Sequence, residues 1–199
     1  MIPFVLLPVK PLAAGKSRLS GILSDRERAA FNRRLFGHVL SVAATAVGAH
    51  RVLVVSRDPA VLDLARARHA FAVHERDDAG LNAALRQAAT DAHGAYAVLV
   101  LPADLPLLEA ADIEAMISAA ASAHSAVVIA PDRHDSGTNA LLLAPPDAIP
   151  FAFGPGSFQA HLAAARRAGI EAVIVRREAL AFDIDTAADY ARLRERAAG

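Results

Sequence analysis

Short runs of consecutive apolar residues alternate along this chain with longer stretches whose apolar positions recur three or four apart. Phe4-Val-Leu-Leu7, bounded by Pro3 and Pro8, predicts a buried strand. Arg51–Ser56, Phe71–His74, Ala95–Leu101, Ala126–Ala130, Asn139–Leu143 and Glu171–Val175 predict further strands. Between them the period changes to that of helices. Residues 24–48 read as one, with Ser24 as cap, Asp25 and Glu27 in the first turn and Gly48 as stop. Pro59–His69, Leu81–His93, Ala110–Ala123, Ser157–Ala168 and Thr186–Ala197 read as others. Continuous apolar strands separated by helices predict an α/β fold, with a mostly parallel sheet and helices on both faces. No repeat or composition break divides residues 1–199, so a single domain is expected.

Composition sharpens this picture. The chain is 54% hydrophobic, but alanine supplies roughly a quarter of it. Alanine favours helix and has little apolar surface to bury, so the figure describes helix packing and not a membrane protein. The apolar start is broken by prolines and lacks a basic segment before it, unlike a secretory signal. A soluble cytoplasmic protein is the expectation. Lys and Arg number 21 against 21 Asp and Glu, which excludes a broad basic surface for nucleic acid or membrane while allowing a local anion site. Cysteine is absent, which removes disulfides, thiol nucleophiles and Cys-rich zinc sites.

Ligands of open α/β sheets bind beyond the carboxyl ends of the strands, and four loops there are unusual. Pro8-Val-Lys-Pro-Leu-Ala-Ala-Gly-Lys-Ser-Arg18 offers Lys10, Lys16 and Arg18 near a helical turn. A P-loop is excluded, because Lys10 stands where that motif needs its first glycine. The loop is either a phosphate neutraliser or merely solvated. In Leu99-Val-Leu-Pro-Ala-Asp-Leu-Pro106 a strand runs into Asp104, which is a Mg²⁺ ligand or a turn and cap residue. In Phe182-Asp-Ile-Asp-Thr186 the i, i+2 spacing turns Asp183 and Asp185 the same way, an arrangement that asks for a cation. The alternative has Asp185 or Thr186 capping the last helix and Asp183 in solvent. The fourth region pairs His134–Asn139 with Phe151–Phe158, where glycines, Thr138 and Ser157 can meet an anion or simply make turns. Gly80-Leu-Asn82 opens a helix, with Asn82 or Asp78 as its cap or Asn82 at a ligand. The histidines contain no HExxH pair, and His161, four residues after Ser157, falls on the same helix face.

Taken in order, Pro8-Val-Lys-Pro, Gly15-Lys-Ser-Arg-Leu19, Gly80-Leu-Asn82, Ala103-Asp-Leu-Pro-Leu107, Gly137-Thr-Asn-Ala-Leu141, Phe153-Gly-Pro-Gly-Ser-Phe158 with His161, and Asp183-Ile-Asp-Thr186 resemble the 2-phospho-L-lactate guanylyltransferases of coenzyme F420 biosynthesis. The resemblance implies a Rossmann-like nucleotidyltransferase sheet of glycosyltransferase-A type. It implies that Pro8, Lys10, Lys16, Arg18, Gly80 and Asn82 bind the nucleotide, with Lys16 and Asp104 catalytic. Asp104, Asp183 and Asp185 would bind Mg²⁺, and Thr138, Gly154 and Ser157 would hold a phosphorylated carboxylic acid. Two ligand-loop positions depart from the family pattern, Ser136 where a second glycine is common and Ala79 where a polar residue is frequent.

The implied reaction transfers GMP from GTP to 2-phospho-L-lactate, phosphoenolpyruvate or 3-phospho-D-glycerate, releasing pyrophosphate. The three acceptors stay level, since they differ by a methyl, methylene or hydroxyl. A sugar-phosphate nucleotidyltransferase and a non-catalytic nucleotide-binding module are the competing readings. The three carboxylates speak against the second of these. Partners are expected to be small molecules, not nucleic acid or membrane, and a homodimer stays open.

Overall fold

The computed structural model describes residues 2–76, 80–120 and 125–198. Strands β1 (Phe4–Pro8), β2 (Val52–Ser56), β3 (Phe71–His74), β4 (Val98–Val100), β5 (Ala126–Pro131), β6 (Thr138–Ala144) and β7 (Ala172–Ile174) form one sheet, in the order β3-β2-β1-β4-β6-β5-β7. Each lies on one of the apolar runs. β1 pairs in parallel with β2 and β4, β2 with β3, and β5 with β7. β6 alone runs against its neighbours, β4 and β5. The segment 132–137 between β5 and β6 is too short for a crossover, so it returns the chain antiparallel.

Ala130 pairs with Ala140 and Pro131 with Thr138, so Asn139 is an extra residue in the ladder. Pro131 has no N–H to contribute, and a bulge opposite a proline loses little.

The helices are α1 (Asp25–Val47), α2 (Pro59–Ala67), α3 (Leu81–Asp91), α4 (Ala110–Ala119), α5 (Ser157–Arg167), α6 (Glu178–Ala181) and α7 (Ala187–Ala198). α1 begins where its sequence dictates. The Ser24 hydroxyl accepts from the Glu27 N–H, while the Glu27 carboxylate accepts from the Ser24 N–H at 2.8 Å. Its buried face, Phe31, Leu35, Phe36, Val39, Leu40 and Ala43, follows the helical period onto the sheet.

Helices cover both faces. Against one lie α1, α2, α4 and α6, with Phe36, Leu40, Val61, Ile113, Met116 and Leu180 among the packed side chains. Against the other lie α3 and α5, with Leu85, Ala88, Phe158 and Ala165. A third cluster, Leu19, Phe31, Leu35, Phe182 and Ile184, closes the end of the molecule where the loops gather, and Tyr190 and Leu193 of α7 pack on it. Burying each large side chain in these layers contributes about 1.5–3 kcal/mol. Among the described residues no helix is long and apolar enough to cross a membrane. Asp78, Ala79 and residues 121–123, the expected last turn of α4, lie outside the described residues.

Candidate active site

The loop after β1 is held down from three directions. The Leu12 N–H donates to the Asp58 carboxylate at 2.9 Å, and the Asn32 amide donates to the Leu12 carbonyl at 2.7 Å. Arg28, buried on α1, donates to the Gly15 carbonyl at 3.3 Å. Gly15 is required by this fit, because a Cβ there would stand 2.6 Å from the Asn32 amide nitrogen. The loop then turns through Lys16, whose φ of 58° and ψ of 40° place it in the left-handed region, and enters a 3₁₀ turn at Ser17–Leu19. Pro8 and Lys10 stand at its start, with Lys10 exposed.

That turn carries the Lys16 ammonium inward. Its Nζ lies 2.5 Å from an Asp104 oxygen and 3.3 Å from an Asp185 oxygen, and its side chain is only 9% exposed. Burial works against its charge, but Asp104 first and Asp185 second outweigh it, so the pKa rises above the lysine norm of 10.5. Arg18 stays in solvent with Nη1 3.8 Å from Asp185. Asp104 sits in the turn after β4. It is not a helix cap, since α4 is capped by Glu109 with Asp112.

Asp183 and Asp185 reach the same place from the segment between α6 and α7. The Ile184 N–H meets the Asp104 carbonyl at 3.4 Å and brings this segment against the exit of β4. Asp183 is half-buried and accepts from the Asn139 amide at 3.2 Å. Its pKa is raised above 3.8 by burial first, then by the charge of Asp104, with Asp185 adding to it. Asp183 is therefore not the solvated acid of the structural alternative. The helix-cap reading holds for Thr186, whose hydroxyl accepts from the Asp189 N–H at 3.3 Å. It fails for Asp185, because Asp189 is the carboxylate that receives the Asp185 and Thr186 N–H groups, at 3.0 and 2.7 Å. Asp185 is thus left 52% exposed and free to face Lys16.

The other candidates gather beside this cluster, around the 151–158 segment. The Asn82 amide accepts from the Phe153 N–H at 2.8 Å and donates to its carbonyl at 3.0 Å. It caps no helix, for Gly80 occupies the N-cap of α3. The Ser157 hydroxyl accepts from the Thr138 N–H at 2.9 Å, and the Thr138 hydroxyl meets His161 Nδ1 at 2.9 Å. Thr138, Ser157 and His161 are all buried, and Gly154 is exposed. β6 separates the two groups: Thr138 turns to α5, whereas the next residue, Asn139, donates to the Leu180 carbonyl of α6 and to Asp183.

Three organising residues escaped the sequence reading. Asp132 accepts from the N–H groups of His134, Ser136 and Gly137 and from the Ser136 hydroxyl, at 2.8–2.9 Å. Partial burial opposes its ionisation, but these donors outweigh it and lower its pKa. Gly137 packs so close that a Cβ would lie 2.8 Å from the Asp132 carboxylate. Asp189, buried and paired with Arg133 at 2.6 Å, and Asn139 complete the set. Asn139 stands in the Gly137–Leu141 motif without a role of its own, nothing in the context of Asp189 marks it, and Asp132 is legible only as an acid at a strand exit before a glycine turn.

The all-oxygen set Asp104, Asp183 and Asp185 suits a hard divalent cation, and the pKa of Asp183 is raised by burial first and by the neighbouring charges of Asp104 and Asp185 after it. With Lys16 seated between two of them, no group of three or more His, Cys, Asp or Glu side chains among the described residues is disposed as a metal cage. A cavity of about 670 Å³, lined by His38, Leu108, Asp112, Arg177, Glu178 and Arg196, contains none of these residues. The candidate site lies past the ends of the central strands β1 and β4, beside the start of β6.

Carboxylates past β4 and past α6 facing a lysine-bearing loop, on an α/β sheet of this order, are features of a nucleotidyltransferase. In overall fold the chain matches the 4-diphosphocytidyl-2C-methyl-D-erythritol synthase of Anaerococcus prevotii with a TM-score of 0.66 at 9% identity, over 99% of this chain and 97% of that one. The family model described as "Guanylyl transferase CofC like" matches residues 3–194. Proteins named phosphoenolpyruvate guanylyltransferase in Rubrobacter xylanophilus and Sphaerobacter thermophilus are 47% and 43% identical to it, over 97% of this chain and 94% and 93% of theirs. The chain belongs to the CofC-like guanylyl transferase family and is a guanylyltransferase.

Proposed function

We propose that residues 1–199 act as one nucleotidyltransferase domain that transfers GMP from GTP to phosphoenolpyruvate, in the cytoplasm, as a step of coenzyme F420 biosynthesis. The observation that carries this reading is the convergence of Lys16, Asp104, Asp183 and Asp185 past the ends of the central strands, in a chain 47% identical to a protein of that name. An acceptor phosphate oxygen forms a bond to the α-phosphorus of GTP, the bond from that phosphorus to the β-phosphate oxygen breaks, and pyrophosphate leaves with the electron pair. The acceptor phosphate is already anionic, so no general base is needed. The obstacle is repulsion between two polyanions.

Lys16, with Lys10 and Arg18 on the same loop, opposes that repulsion by neutralising the triphosphate. Its seat between Asp104 and Asp185 keeps the ammonium protonated and ordered before nucleotide arrives. Pro8, Gly80 and Asn82 border the nucleotide, Asn82 by fixing Phe153. Asp104, Asp183 and Asp185 would hold Mg²⁺. When bound, the ion supplies Lewis-acid stabilisation of phosphate oxygens. Thr138, Gly154 and Ser157 receive the phosphorylated acid beyond β6.

Pyrophosphate release measured with Mg²⁺, GTP and each of phosphoenolpyruvate, 2-phospho-L-lactate and 3-phospho-D-glycerate tests the reading, with ATP and CTP in parallel. Turnover is expected with GTP and, by the largest kcat/KM, phosphoenolpyruvate. A larger kcat/KM for another acceptor overturns the substrate, and no release with any acceptor overturns the reaction.

A further inference from the structure

His161 is fully buried on α5, takes no part in the chemistry above, and joins three pieces of the acceptor side. Its Nε2 lies 3.0 Å from the Ala152 N–H, and its Nδ1 lies 2.9 Å from the Thr138 hydroxyl. A backbone amide can only donate, so Nε2 is the unprotonated nitrogen and accepts. Nδ1 therefore carries the ring proton and donates to Thr138 Oγ1. Burial agrees, pushing the imidazole down to about 4 and keeping it neutral. The second contact defines Thr138. One lone pair of its oxygen is occupied by the imidazole N–H, and its own proton has no acceptor among the described residues. The Ser157 hydroxyl is in the same state, accepting from the Thr138 N–H with its proton unassigned. The ring also stacks edge-on against Phe153 at 5.0 Å, the residue Asn82 grips from the other side.

We infer that His161 is a positioning residue for the acceptor: its tautomer, fixed by the Ala152 N–H at Nε2, makes the Thr138 hydroxyl a donor toward an anionic group. This rests on the proposed reading that Thr138 contacts the phosphorylated acid. Without the imidazole N–H, the Thr138 hydroxyl is free to turn its proton inward and present a lone pair to an anion.

The two nitrogens separate by substitution. His161→Gln places an amide oxygen near Nε2 and loses the bond to Thr138; His161→Asn places an amide N–H near Nδ1 and keeps it. His161→Gln is expected to raise the KM for the acceptor roughly ten- to a hundred-fold, the range for one hydrogen bond to a charged group. The KM for GTP should stay within about two-fold, and His161→Asn should recover most of the loss. Thr138→Val should match His161→Gln, and the double variant should be no worse than Thr138→Val alone. Equal acceptor KM values for wild type and both His161 variants overturn the inference, as do multiplicative effects in the double variant. An unchanged acceptor KM in Thr138→Val overturns the underlying reading of Thr138 instead. Should His161→Gln not fold, the cycle is run with His161→Asn, where an acceptor KM raised as far as in Thr138→Val overturns the tautomer argument and a near-normal KM supports it.

Discussion

Replacing Asp183 by Asn separates what this residue does for the reaction from what it costs the fold. The substitution keeps the shape and an oxygen for the Asn139 amide, whose bond spans 3.2 Å and is worth about 1 kcal/mol. It removes a charge that burial, Asp104 and Asp185 all oppose. Because the folded-state pKa lies above the ordinary 3.8 of an aspartate, ionising Asp183 costs more in the folded protein than in the unfolded chain. That cost is fully present at neutral pH and disappears as the pH falls through the raised value toward 3.8 and below. Relieving such strain at a functional site typically gains about 0.5–2 kcal/mol. A gain of about 1 kcal/mol in a domain of this size moves the Tm by about 2–4 °C. Thermal melts in chelator at pH 7.5 should therefore place Asp183→Asn above wild type by that margin, with the gap closing on acidification, while turnover is nearly lost. With Mg²⁺ and GTP present the order should reverse, because ligands held a hundred-fold above their Kd stabilise the folded state by about 2.7 kcal/mol. A lower Tm for the variant in chelator, or a gap that does not narrow at acid pH, refutes the reasoning.

Asp104→Ala and Asp185→Ala should each leave a folded protein, by far-UV circular dichroism, whose kcat falls by about 10²–10³ or more. Normal turnover by both would sink the metal assignment. Lys16→Ala should raise the KM for GTP roughly ten- to a hundred-fold, the loss of a charge-assisted contact, and steady-state kinetics in GTP with unchanged values would reject that role. Gly137→Ala should destabilise by about 1–3 kcal/mol, since the new Cβ displaces the Asp132 carboxylate from 2.8 Å and releases its donors. Denaturant unfolding should show an earlier midpoint with the same slope.

The sheet was readable because its strands are continuous apolar runs. The acidic cluster was readable only in part, because Asp104 stands just past β4 whereas Asp183 and Asp185, expected directly after the last strand, follow the intervening α6. Boundaries were less so: Ala95–Ala97 looked like strand, yet β4 begins at Val98. α6, at Glu178–Ala181, is too short to show a period. The reversal of β6 left no mark in its own residues, all buried like those of β5, and only the shortness of segment 132–137 betrayed it. Within the site, single positions revealed chemistry but not partnership. Lys16 was a loop cation in the sequence, and its seat between Asp104 and Asp185 depends on Asn32, Arg28 and Asp58, which are distant in the chain. Asp132 and Asp189 resembled ordinary surface acids because their role lies in the backbone groups they receive.

The extra residue opposite Pro131 has a consequence for how the molecule tolerates change. In an unbroken ladder the facing of every side chain is one parity, so any slip in the core is transmitted to the strand's end. Asn139 breaks that parity at the point where β6 leaves the core for the site. Deleting this one residue would leave Leu141–Leu143 packed as before and Thr138 still opposite Pro131 on the His161 side, but would remove the amide that reaches Leu180 and Asp183. Insertions and deletions, usually cheap near a hairpin, are thus costly here, because the one extra position adds an amide to the carboxylate side of the strand without moving the hydroxyl from the other side.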